Sequence, residues 1–132
     1  MMLLAVIAVV SLLGSTDKPS DDINWLSQLA KGGDSNAQLQ LGLDYRDGRL
    51  GLSPDAATGL TWLRQAAEQG NAFAEDAVGS MYANGNGTKK NPALAMYWWQ
   101  KGMNDGSHEA RLHLSEALIQ AGKVQQAEAL LR

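Results

Sequence analysis

A phrase led by tryptophan occurs three times at nearly constant spacing, and this limits the possible folds more than any other feature of the chain. WLSQLAKGGDSNA runs from Trp25 to Ala37, and WLRQAAEQGNAFA runs from Trp62 to Ala74 at an offset of 37. WWQKGMNDGSHEA, Trp98 to Ala110, follows at an offset of 36. Between them, AQLQLGLDYRDGRLG answers AEDAVGSMYANGNG, with Gly42 matching Gly79, Tyr45 matching Tyr82 and Gly48 matching Gly85. Gly51 matches Gly87 once the first loop is allowed an extra residue. A fixed period in this range means stacked units, each burying its apolar face against its neighbours.

Each unit reads as two helices. Ser53-Pro54-Asp55 and Asn91-Pro92 read as an N-cap followed by Pro at the first helical position, where the missing N–H costs nothing. Gly70 and Gly106 stop the helices that follow, and Asn71 and Ser107 cap the next ones. The third unit is worn: Ala110 and Leu114 hold their places, while Ser115 and Leu118 replace the glycine and the tyrosine. Its turn shrinks to Gly122-Lys123 before a last helix from Val124 to Arg132. Such loss of consensus is expected of a capping repeat.

The pattern A-x-x-x-L-G-x-x-Y-x-x-G-x-G, followed by D/N-x-x-x-A-x-x-W and a closing glycine, resembles the Sel1-like repeat family, relatives of the tetratricopeptide repeats. Gly59 departs from the family's usual Ala, and Gly102-Met103 departs from its usual Ala-Ala. The expected fold is all-α, an α-solenoid of about three Sel1-like units plus an N-terminal half-unit. The expected repeat domain is 23–132, with units near 35–70, 71–106 and 107–132. The resemblance implies an adaptor that binds a protein or peptide on a curved surface, and it implies no reaction.

The first residues differ in kind. MMLLAVIAVVSLLGST carries no charged side chain, and its apolar run from Met1 to Leu13 is roughly 20 Å long as a helix, short of a ~30 Å bilayer core. Residues 1–16 therefore read as a signal peptide or a short membrane anchor, and 17–22 as a polar linker. The expected location is outside the cytoplasm, in a bacterial periplasm or held at the inner membrane by that segment. Membrane contact is expected only there.

Acidic residues outnumber basic ones, 14 to 11, with no block of either sign, so no basic face for nucleic acid is present. The chain has no cysteine, which excludes thiolate nucleophiles and cysteine-ligated zinc. His108 and His113 are five apart, about 140° around a helix, whereas a zinc pair favours i, i+4. GNGTKK lacks the strand-to-helix setting and residue spacing of a phosphate loop, and its glycines recur at Gly48 and Gly51 without lysines. It reads as a hinge with solvated Lys89 and Lys90. Gly79-Ser80-Met81 falls within a helix rather than a nucleophile elbow, and Asp47 reads as a turn residue instead of half of a carboxylate pair with Asp44. No cofactor or catalytic set is expected.

Trp98 shares its repeat position with Trp62 and Trp25, and Trp99 shares its own with Leu63 and Leu26, so both read as core. The first helix of each unit has a face that the repeat markers leave free. Its candidate partner-binding residues are Leu39, Gln40 and Leu43, then Phe73, Asp76 and Ser80, then Leu112, Glu116 and Ile119. By likeness to tetratricopeptide arrays, this face lines the concave groove. Apolar residues mixed with acids there suit an amphipathic or basic segment. The rival readings are a cell-wall-directed hydrolase and a carbohydrate-binding module using Trp99 and Tyr97. Leu130 and Leu131 at the end of the last helix raise self-association as a further possibility.

Overall fold

The computed structural model describes residues 19–132, and the segment expected to act as a signal or anchor lies outside them. Among the described residues there are seven helices and no strand: α1 (Pro19–Lys31), α2 (Ser35–Asp47), α3 (Ala56–Glu68), α4 (Ala72–Asn84), α5 (Pro92–Asn104), α6 (His108–Gln120) and α7 (Val124–Leu131). Each packs chiefly on its neighbours in sequence, and α4 also touches α6. That is the contact pattern of a stacked array, the expected α-solenoid.

Local chemistry sets most of the boundaries. Asp34, Asn71 and Ser107 cap α2, α4 and α6, each accepting the backbone N–H three residues on. Asn91 caps α5 with Pro92 at the first helical position, as expected. The first unit differs. Its cap is Asp55, whose two oxygens take the backbone N–H and the hydroxyl of Thr58, while Pro54 precedes the cap and packs over Gly48. Helices α2 and α4 both end on a left-handed glycine, Gly48 at φ 71° and Gly85 at φ 67°, which explains why these two repeat in register.

The expected linker at 17–22 needs correction, because α1 already begins at Pro19. Pro19 suits the start of a helix, and Asp21 and Asp22 in the first turn favour the positive end of its dipole. Trp25 is the other departure. Its repeat equivalent Trp98 is 7% exposed, whereas Trp25 is 65% exposed. Trp62 packs on a cluster formed by Leu26, Ala30, Ala37 and Leu41 of the two preceding helices, and among the described residues nothing precedes α1.

The main core runs from the second helix of unit one, at Leu60 and Leu63, through units two and three to Leu118 and Ala127. At the last helix, Val124 and Leu131 are exposed and Leu130 packs on this core.

Asp44 breaks the apolar pattern. It is 1% exposed, at the place where unit two carries the buried Met81. Its Oδ1 accepts from Gln40 Nε2 at 2.9 Å, but Oδ2 has no partner. The carboxylate also lies in the last turn of α2, at the negative end of the dipole. Asp44→Met is therefore expected to gain about 1 kcal/mol in urea unfolding at neutral pH. A loss instead would mean that the bond to Gln40 outweighs the orphaned oxygen.

Candidate binding groove

The close approach of the helices begins at a pair of glycines. A Cβ on Gly79 would lie 2.6 Å from Trp99 Cδ1 and Nε1, and one on Gly42 would lie 2.6 Å from Leu63 Cγ. The repeat glycine thus receives the residue after each unit's tryptophan: Leu63 in unit one, Trp99 in unit two. With its ring seated on Gly79, Trp99 donates Nε1–H to the carbonyl of Asp76 at 3.3 Å and is 7% exposed. The His113 ring lies against it, 5.3 Å between centroids and tilted by 31°. His113 in turn donates Nδ1–H to Asp76 Oδ1 at 2.6 Å. This link ties α4 to α6 across α5.

Beside the linked residues is a groove of about 590 Å³ between α4, α5 and α6. Its apolar lining includes Ala95, Met96, Trp99 and Ala117, and its polar lining includes Ser80, Asn84, Lys90, His113, Glu116 and Gln120. The volume falls within the range of ordinary small-molecule or side-chain pockets. Among the described residues, no group of three His, Cys, Asp or Glu side chains is placed to hold a metal ion.

The nine candidate partner-binding residues divide three ways. Ser80 and Glu116 line the groove, and Asp76 meets its wall through His113. Phe73, Leu112 and Ile119 are open on the same two helices, at 67%, 59% and 50% exposure. Leu39 and Leu43 are half-buried against the main core, because α2 is covered on more than one side. Gln40 is exposed but engaged with Asp44. The structure therefore brings Ser80 and Glu116 together in the groove, leaves Phe73, Leu112 and Ile119 exposed on the same helices outside its lining, and places the unit-one candidates elsewhere.

Sequence reasoning assigned Trp99 to the core, and its burial agrees, yet one part of its surface lines the groove. It missed the role of His113. The available signal was spacing: Asp76 and His113 are one repeat plus one residue apart, which brings them to facing sides of successive first helices. Lys90 is exposed as expected, but it stands at the groove's edge.

A succession of helix pairs in which a repeat glycine seats the residue after each unit's tryptophan defines this chain as an α-helical repeat protein. Comparison with known proteins agrees. The Sel1 repeat family model matches residues 35–71 and 72–107. The chain belongs to the Sel1 repeat family. It is similar to a Sel1 repeat protein of Oxalobacter formigenes at 30% identity and a TM-score of 0.75, covering 82% of this chain and 46% of that one. It is also similar to c5321, a protective antigen present in uropathogenic Escherichia coli strains displaying an SLR fold, at 34% identity and a TM-score of 0.71. That match covers 77% of this chain and 22% of the other, so this chain spans less than half the length of either structure. No curated protein matches it. Sel1 repeats are in general protein–protein interaction modules and typically non-catalytic scaffolds.

Proposed function

We propose that this chain is a non-catalytic adaptor of the bacterial cell envelope whose groove takes an amphipathic segment of another protein carrying a basic residue. The observation behind this reading is the combination on α4 and α6. Three large apolar side chains stand open there, while Glu116 brings negative charge to the groove lining and Asp76 stands behind it, bonded to His113. Exposed apolar surface next to acids suits a segment with apolar anchors and a cation. Family membership supports an interaction role, and the apolar run of residues 1–13 supports export. The ring-platform reading has less support, because Trp98 and Trp99 are each 7% exposed.

Capture from envelope extract, with cytosolic extract as the contrast, tests the reading. The bait is residues 17–132, beside a Phe73→Glu, Leu112→Glu control. Both substituted side chains are open to solvent, so the control is expected to fold, and circular dichroism checks that it does. A protein retained from the envelope fraction alone, and at least about tenfold less by the control, is the expected result. Equal recovery by both baits would remove the exposed apolar face of α4 and α6 beside the groove as the binding surface. Partners drawn only from the cytosolic extract would remove the envelope location.

A further inference from the structure

Glu75 of α4 is a carboxylic acid fully buried between packed helices, and neither side-chain oxygen has a hydrogen-bond partner. The neighbouring helices close over it at Gly102 of α5 and Ala110 of α6. A Cβ on Gly102 would lie 2.9 Å from Ala110 Cβ and 3.4 Å from Glu75 Cβ. Glu75 therefore sits at the joint between units two and three.

One unit earlier, the same place holds a complete polar contact. Gln38 precedes Glu75 by 37 residues. Its Nε2 donates to the Ala30 carbonyl at 3.1 Å, and its Oε1 accepts from Gln69 Nε2 at 2.8 Å. The repeat carries Ala30 onto Ala67 and Gln69 onto Asp105. An amide pair in the first joint is thus an acid pair in the second. Two ionised carboxylates have no hydrogen to give, either to a carbonyl or to each other. A protonated carboxyl has one donor and one acceptor side, as the amide does.

We propose that this joint is operated by a proton: Glu75 holds α4, α5 and α6 together as the neutral acid and loosens them when it ionises. The charged groups around it are few. From α5 and its cap come Lys101 and Asp105. On α3, Arg64 and Glu68 pair with each other at the surface, 3.7 Å apart. On α6, Arg111 is bonded to His108 at 3.2 Å, and on α4 itself Asp76 is held by His113. Burial is the main cause that raises Glu75 from its ordinary 4.5 to about 7. Asp105 adds to this, since its like charge disfavours ionisation and it can bond Glu75 only when a proton is present, and Lys101 pulls the other way. The unfolded chain releases this proton near the ordinary 4.5, and the folded chain keeps it to about 7. The stabilisation is complete below the first value, declines as pH rises between the two, and is gone above the second.

The test is urea unfolding of the wild-type chain, Glu75→Gln and Asp105→Asn between pH 5 and pH 8, followed by circular dichroism. For the wild type, the unfolding constant is expected to rise about 100-fold across the window. For Glu75→Gln it is expected to change less than about threefold relative to the same background, since the histidines are common to both proteins and cancel. Asp105→Asn should move the wild-type transition to lower pH. A Glu75→Gln profile that parallels the wild type would overturn the proposal. If Glu75→Gln does not fold, carboxyl carbon NMR of the wild-type chain decides. A Glu75 resonance titrating with the other glutamates refutes the idea, and one titrating near neutrality supports it.

Discussion

Trp99→Ala is expected to lower the unfolding free energy by about 3–5 kcal/mol, the usual cost of deleting a buried aromatic ring. The ring is 7% exposed, fills the seat over Gly79, bonds the carbonyl of Asp76 and lies against His113. Its removal leaves a void where α4, α5 and α6 meet, and alanine offers nothing to fill it. Domains of this size have only about 5–15 kcal/mol to lose, so the variant should be close to unfolding at physiological temperature. Urea denaturation read by circular dichroism is the right probe, because the substitution removes a fluorophore. Trp25→Ala is the internal contrast. At 65% exposure, its loss should stay within about 0.5 kcal/mol. Equal losses at the two positions would mean that Trp99 is not a packing residue.

The second large effect comes from the smallest possible addition. Gly42→Ala places a methyl 2.6 Å from Leu63 Cγ, 2.9 Å from the carbonyl oxygen of Gly59 and 3.0 Å from the backbone nitrogen of Leu63. Two of those three atoms are backbone, so no side-chain rotation relieves the clash and α2 must move away from α3. Alanine recovers about 1 kcal/mol of helix propensity over glycine. Overpacking outweighs that gain, and the expected net loss is about 2 kcal/mol. Gly79→Ala should behave differently, because all three close atoms there belong to the Trp99 side chain. A double-mutant cycle separates the cases. Trp99→Ala should relieve most of the cost of Gly79→Ala, whereas Leu63→Ala should relieve little of the cost of Gly42→Ala. Equal rescue at both sites would show that the backbone contact at Gly59 is not what excludes a methyl from position 42.

These glycines also show how much of the molecule was legible beforehand. Gly42 and Gly79 stood out as markers in register, and the structure supplies their reason: each admits the residue that follows the next tryptophan. Gly48 and Gly85 were readable outright, because a left-handed helix end is a local requirement that few other residues meet. The caps Asn71, Asn91 and Ser107 fell where expected for the same reason. Asp55 displaced Ser53 as cap of α3 because the first loop carries one more residue and Pro54 turns in over Gly48. Pro19 and the acidic residues after it were read as a polar linker, whereas they form the first turn of α1.

The candidate site was harder to read. Leu39 and Phe73 looked alike as apolar residues on a free face, yet Leu39 packs on the core and Phe73 is 67% exposed. Helical projection gives direction around one helix and says nothing of how many neighbours stand in that direction. Trp25 and Trp98 make the same point, since they share a repeat position and differ almost tenfold in exposure. The Asp76–His113–Trp99 link needs three helices placed at once, and no one-dimensional pattern contains it.

The helix count, the turns and the register of the units could be read along the chain, because caps, glycines and spacing act within a few residues or recur at a fixed period. Which positions of the repeat are open and which are enclosed emerged only from the packed helices. Gln38, Glu75 and Arg111 occupy one place in three units, yet the first is a bonded amide, the second a buried acid without a partner and the third a half-exposed cation. Burial and charge arise from the sum of neighbours around a side chain, and that sum exists only once the helices have stacked.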